Sequence, residues 1–273
     1  MELVGLGIIR PFNTVFIFLL TLFSYSLVIG SIDFSLGVIL AALSISSIAA
    51  AGYSLNDYFD YKIDLKNKPQ KSIPNKKISR KEALVLSAFL FFLGLLASVF
   101  VNSKVFMTAT MATILLLVYG IKGNNLGLSG DFLISFLTAL VFVHGAFVAT
   151  DTIPIAIVII AAAAFTINVG REIVKDIEDY DADKGSKLTL PQKIGKYRSA
   201  ILAIFFLISN LMVTYILIPL YIAGIAFLLS LPLVFPALIK ILKIIKSQDA
   251  RTAKSSQEFM KVLMVMEFVF VLL

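Results

Sequence analysis

The chain has 273 residues, of which 59% are hydrophobic and 15% charged, against roughly 45–50% and 25% in soluble domains, so an ordinary soluble globule is excluded. Cysteine is absent and histidine occurs once, which removes disulfide frameworks, thiolate metal sites and His-based metal sites. The net charge of +7 does not indicate nucleic acid, because the basic residues lie between apolar runs, where membrane topology accounts for them.

With about 20 predominantly apolar residues per span, the sequence predicts an all-α membrane protein with nine transmembrane helices. They are expected at about 12–32, 34–55, 82–101, 104–121, 131–150, 153–175, 198–218, 220–242 and 257–273. No basic residue precedes Arg10 and no small-residue cleavage site follows the first run, so it is read as a retained span and not a signal peptide. The seventh and eighth form one apolar stretch, divided near Pro219 because it is too long for a single crossing. Lys and Arg gather at Arg10, in 62–81, at Lys122, in 171–198 and in 240–261, leaving only Lys104 of the 24 outside. The positive-inside rule then places the N-terminus and every basic segment on the cytoplasmic side of a cell-membrane protein.

One acidic spacing occurs twice. Asp57, Asp60 and Asp64 form DxxDxxxD after the second span, and Asp176, Asp179 and Asp183 form it again after the sixth. Four helices separate the equivalent points, so two four-helix repeats (about 10–122 and about 128–245) are expected around a central cavity, followed by a ninth helix at about 257–273. Both clusters would face the cytoplasmic side of one transmembrane domain and could meet across that cavity.

If each helix continues a turn or two past its apolar run, Asp at i, i+3 and i+7 shares one face. The second stripe extends back through Glu172 to Asn168 at helical spacing. Like charges so arranged repel unless a cation sits among them. Hard oxygen donors without His or Cys favour Mg²⁺, which takes one or two carboxylates together with substrate phosphates. Two clusters suit two ions on one diphosphate, with the six aspartates as metal ligands and catalytic groups. A single cluster of this kind is more often a solvated loop; the duplication at equivalent positions turns the reading toward function. Basic residues lie where an anionic leaving group needs them: Lys62, Lys66, Lys68 and Lys71 after the first cluster, Lys122 at the end of span four just after Tyr119, and Arg171 and Lys175 before the second cluster. His144 is read as a helix-packing residue. Most of the 23 Phe must face lipid or neighbouring helices, with a few available to stabilise a carbocation.

Asn56-Asp57-Tyr58-Phe59-Asp60-Tyr61-Lys62-Ile63-Asp64 resembles the NDxxDxxxD signature of the UbiA-type intramembrane prenyltransferases. Arg10-Pro11-Phe12-Asn13 resembles the family's RPxN element, Tyr119 to Lys122 its YxxK element, and Thr189-Leu190-Pro191 its TLP segment. The likeness covers essentially the whole chain. It departs after the first cluster, where the family reads close to NRPxRPIPSG and this chain has Asn67-Lys68-Pro69-Gln70-Lys71-Ser72-Ile73-Pro74-Asn75. Lys71 keeps the charge of the usual Arg but not its bidentate fork.

The segment Arg171 to Asp179 is most similar to the archaeal ether-lipid branch. That resemblance implies Mg²⁺-assisted transfer of a geranylgeranyl group from its diphosphate to the hydroxyl of geranylgeranylglyceryl phosphate, through an allylic cation. It also implies diphosphate binding by Asn56, Lys71, Tyr119, Lys122, Arg171 and Lys175. The partners expected are a prenyl diphosphate donor, a lipid-phosphate acceptor and membrane lipids, with no nucleic acid and no obligate protein partner. Two other readings remain open: prenylation of an aromatic acceptor in quinone synthesis, and a cation-coupled secondary transporter. The transporter fits less well, because its sites usually lie near the midplane and spans two and six lack Gly/Pro breaks.

Overall fold

The computed structural model describes residues 6–214, 236, 239–240 and 242–272. Among them the secondary structure is helical, with no strand. A 3-10 turn (Leu6–Ile9) leads into α1 (Pro11–Ile29), α2 (Leu36–Phe59), α3 (Tyr61–Asn67), α4 (Arg80–Val99), α5 (Ser103–Leu126) and α6 (Leu128–Ala146). α7 (Ile155–Glu178), α8 (Tyr180–Asp183), α9 (Leu190–Ile194), α10 (Lys196–Met212) and α11 (Ala250–Leu272) follow. Among the described residues six helices are long and apolar enough to cross a membrane, and they match the first six expected spans within a few residues. α10 begins the seventh. The eighth, 220–242, lies outside the described residues except at 236, 239–240 and 242. α11 covers the expected ninth and starts before it, at Ala250.

Local chemistry explains the helix boundaries. Pro11 opens α1 in the first turn, where a missing N–H costs nothing, and Gly30 closes it in the left-handed region at φ 71°. A capping box opens α4: Ser79 Oγ accepts from the Glu82 amide, and Glu82 Oε2 accepts from the Ser79 amide at 2.8 Å.

The chain divides into two compact units, Met1–Gly123 with Leu140–Pro154, and Asn124–Ala139 with Ile155–Leu273. In the first, α2 packs on α1 and α4. The seam between α2 and α4 is laced by serines: Ser44 Oγ donates to Gly94 O at 2.7 Å, Ser54 Oγ to Ala83 O at 2.8 Å and Ser87 Oγ to Ala51 O at 2.9 Å. Apolar burial drives little association between helices in lipid, so small residues that allow close backbone approach and cross-helix hydrogen bonds hold such a seam. A Cβ on Gly94 would stand 2.8 Å from Ser44 O, and one on Gly145 would stand 2.6 Å from Thr21 O, which shows how closely those helices approach. His144 is fully buried here between Thr108 Oγ1 (2.7 Å) and Ala41 O (3.1 Å), a packing residue as expected.

In the second unit α7 packs on α10 and α11. Gly170 faces Leu207 and Ala203 O, and Asn210 Nδ2 donates to Ala163 O at 3.1 Å.

Candidate active site

The first acidic cluster lies where α2 ends. Asp57 is in the last helical turn, Asp60 follows the helix end and Asp64 lies in α3. The expected single continuous helix is therefore interrupted at Asp60. Asp60 itself stays near helical geometry (φ −76°, ψ −2°), and its carbonyl accepts from the amides of Ile63 and Asp64. The backbone tightens there without unwinding, and all three aspartates are buried, at 4–5% exposure.

Lys71 reaches back into this cluster. Its Nζ donates to Asp57 Oδ1 at 2.9 Å and to Asp64 Oδ2 at 2.8 Å. Asn56 Nδ2 donates to Asp60 Oδ2 at 3.0 Å. Burial raises the Asp64 carboxyl above the usual carboxylate range; the Lys71 hydrogen bond and charge oppose the rise, and the charges of Asp60 and Asp57 add to it.

The segment carrying Lys71 is held by a small apolar cluster of Ile8, Ile73 and Ala83, with Ile9, Tyr61, Ile78 and Leu86 against it. This ties the N-terminal turn, the loop after the first cluster and the start of α4 into one support. Arg10 caps α1 in a left-handed conformation unusual for a non-glycine residue (φ 48°, ψ 71°). That conformation sets its guanidinium over the Tyr53 ring, 4.7 Å from the centroid, and 3.7 Å from Asp57 Oδ1. The sequence marked Arg10 as a basic topology residue and through the short RPxN likeness; its contact with Asp57 depends on tertiary structure.

Tyr119 and Lys122 lie near the C-terminal end of α5, with Tyr119 half-buried and Lys122 exposed. Gly120 between them packs against Leu55 and Phe59, so this turn of α5 lies against the end of α2 that carries the first cluster.

The second cluster repeats the local geometry of the first. α7 ends at Glu178, Asp179 follows the helix end and Asp183 closes α8. Each helix thus stops one residue before the middle aspartate of its motif. Asp176 and Asp179 are half-buried and Asp183 is buried. The stripe running back along α7 is buried as the spacing indicated, at Asn168 and Glu172. Arg171 Nε donates to Asn168 Oδ1 at 3.1 Å and its Nη2 donates to Glu172 Oε1, while Lys175 Nζ donates to Glu172 Oε2 at 2.8 Å. The Asn168 side chain donates to Ser135 Oγ on α6 at 3.1 Å. Asp131, also on α6, is buried and close enough to Asp176 and Glu172 to feel their charges. Its position near the start of an apolar run gave no sign of this.

Mg²⁺ suits this donor set. Among the described residues no three acidic side chains converge into a ready-made metal cage. Mg²⁺ does not require one, since it binds through one or two carboxylates plus substrate phosphates and keeps several waters. The first cluster already centres two buried carboxylates on a cation, the Lys71 ammonium.

Residues 15–265 match the profile of the UbiA prenyltransferase family. The chain belongs to that family. It is 34% identical over 256 residues to digeranylgeranylglyceryl phosphate synthase of Thermococcus gammatolerans, covering 93% of this chain and 91% of the relative. It is 34% identical over 268 residues to the enzyme of the same name from Methanothermobacter thermautotrophicus, covering 96% and 92%. A solved structure concerned with digeranylgeranylglyceryl phosphate synthase in membranes superposes with a TM-score of 0.77 at 28% identity, over 98% of this chain and 96% of that one. A UbiA homolog from Archaeoglobus fulgidus, solved with DMAPP and Mg²⁺, shares the fold at a TM-score of 0.67 and 18% identity, over 97% and 98%. This UbiA-family protein is therefore a multi-pass membrane prenyltransferase.

Proposed function

We propose that this prenyltransferase moves a geranylgeranyl group from geranylgeranyl diphosphate to the hydroxyl of geranylgeranylglyceryl phosphate, an ether-forming step in archaeal lipid synthesis. The observation that carries the chemistry is the buried pair Asp57 and Asp64 centred on the Lys71 ammonium, a carboxylate site organised around positive charge. The choice of substrates rests on the curated relatives, whose name is digeranylgeranylglyceryl phosphate synthase.

In this reading Asp57, Asp60 and Asp64 hold one Mg²⁺, and Asp176, Asp179 and Asp183 another. When bound, the ions neutralise the charge that develops on the departing diphosphate. Lys71, Lys122, Arg171 and Lys175 add charge-assisted hydrogen bonds to phosphate oxygens, with Asn56 and Tyr119 as neutral partners. The allylic C–O bond breaks, the acceptor oxygen attacks the resulting cation, and the hydroxyl proton leaves with the diphosphate or to a carboxylate. Apolar helix surfaces take up the prenyl chain, worth about 0.8 kcal/mol per CH₂, and keep water from capturing the cation. Nine spans in two four-helix repeats plus a last helix, enclosing a cavity, complete the architecture. The charge alternation supports a cytoplasmic N-terminus with both clusters on that side.

The test is a product assay on purified protein with Mg²⁺ and geranylgeranyl diphosphate, offering geranylgeranylglyceryl phosphate and 4-hydroxybenzoate separately. A diether product from the first alone, lost in EDTA, is expected. A prenylated benzoate instead would move the protein to aromatic prenylation. Asp57→Asn and Asp176→Asn are each expected to abolish turnover in folded, membrane-inserted protein, and near-wild-type activity in both would sink the two-cluster mechanism.

A further inference from the structure

Asp131 belongs to neither DxxDxxxD motif, yet among the described acids its surroundings set it apart. Its side chain is buried, at 8% exposure, and its Oδ2 has no hydrogen-bond partner. Ser135, one turn along α6, does not serve it, because its hydroxyl donates to the Asp131 backbone carbonyl at 2.7 Å. Arg171 and Lys175 both bond Glu172. A buried polar atom left without a donor is costly, and more so when charged.

The register of α6 against α7 shows what Asp131 faces. Asn168 Nδ2 on α7 donates to Ser135 Oγ on α6 at 3.1 Å, and this bond pins the two helices. The chain turns back between them through the short connection 147–154. One turn backward on α6, to Asp131, therefore corresponds to one turn forward on α7, to Glu172, with Asp176 one turn beyond. The charges of Asp176, Glu172 and Lys175 all reach Asp131, which sets it against this stretch of α7. An unpartnered carboxylate oxygen thus lies level with Glu172, about one turn from the first aspartate of the second cluster and within range of its charge, a position from which it can serve a cation there.

We propose that Asp131 is an oxygen ligand of the cation held by the second cluster, supplied from α6 in addition to the DxxDxxxD aspartates. The inference rests on the reading that this cluster binds Mg²⁺, and the test separates the two. Full-length protein in detergent is titrated with Mn²⁺, a paramagnetic substitute for Mg²⁺, and free Mn²⁺ is read by electron paramagnetic resonance. Wild type, Asp131→Asn and Asp176→Asn are compared. Loss of groups merely supporting a metal ligand already weakens binding by about 10–100-fold, so Asp131→Asn is expected to weaken one Mn²⁺ site at least about tenfold and to leave the other intact. Wild-type binding in Asp131→Asn, with a site lost in Asp176→Asn, would make Asp131 a buried structural acid and overturn the inference alone. Wild-type binding in both variants would overturn the second-cluster metal reading and the inference with it.

Asparagine is nearly isosteric and removes like-charge repulsion. Asp131→Asn is therefore expected to unfold in EDTA no earlier than wild type, and to gain less thermal stability from Mn²⁺. A second measurement needs no substitution: the Mn²⁺ anomalous peak in crystals of the wild-type protein. A peak within about 2–2.6 Å of an Asp131 carboxylate oxygen supports the assignment, and a peak bound by Asp176 with Asp131 out of reach refutes it.

Discussion

Lys71→Met probes the first cluster directly. The substitution keeps an unbranched side chain of similar reach and removes the ammonium that bonds Asp57 at 2.9 Å and Asp64 at 2.8 Å. The two carboxylates keep only 7% and 5% of their side-chain exposure, while Lys71 keeps 23%. Removing one partner of a buried ion pair costs about 3–5 kcal/mol, since the remaining charge is left uncompensated. Arg10 stays 3.7 Å from Asp57, and Lys71 is partly solvated, so the lower end, about 3 kcal/mol, applies. At about 2–4 °C per kcal/mol, thermal unfolding in detergent with EDTA, followed by far-UV circular dichroism, should fall by about 6–12 °C. Mg²⁺ should restore part of the loss and raise Tm more in the variant than in wild type, because a divalent cation then enters the site without displacing a bonded ammonium. A drop below about 2 °C in EDTA, or the same Mg²⁺ increment in both proteins, would refute the argument that these carboxylates depend on a central cation.

Gly145→Ala places a methyl 2.6 Å from Thr21 O, a backbone atom that cannot swing aside, and should cost about 1–3 kcal/mol by overpacking; Gly37→Ala meets only a Val148 methyl at 3.8 Å and should leave Tm within a degree or two of wild type. His144→Leu gives up the contacts to Thr108 and Ala41, about 0.6 kcal/mol each at the average found for polar contacts in membranes. Its turnover should stay close to wild type, and a loss beyond about tenfold would give His144 a role in the chemistry. Asp249 is held below the usual carboxylate range by the Ser247 hydroxyl first, then by the Thr252 amide and hydroxyl. Its folded value lies below its unfolded value of about 3.9, so its support of the α11 N-terminus is complete above about pH 4 and fades as pH falls further. Hydrogen exchange at Thr252, corrected for intrinsic rate, should speed up over that acid range in wild type and show no such dependence in Asp249→Asn.

Several features were legible from residue order because they are periodic or compositional. The first six spans are apolar runs long enough to cross a bilayer, and their helices lie within a few residues of where hydropathy placed them. The DxxDxxxD spacing marked both acidic clusters, and the stripe through Glu172 and Asn168 proved to be a buried face of α7. The interruption at Asp60 and again at Asp179 was not legible, because a tightened turn preserves the i, i+3, i+7 pattern while ending the helix. The serine seam between α2 and α4 was also not legible, since isolated serines in an apolar run carry no period of their own.

Local order along the chain determined that this protein crosses a membrane, which helices are amphipathic at their ends and which acids recur. Only tertiary structure decided which charges meet. Lys71 stood out in the sequence as one of four lysines after the first cluster; the packing of Ile8, Ile73 and Ala83 is what directs it onto Asp57 and Asp64. No motif marks Asp131 along the chain; the Ser135–Asn168 bond sets its helix in register with α7. Long-range contacts of this kind depend on helix–helix register, and no local spacing encodes the register between two helices that each repeat every 3.6 residues.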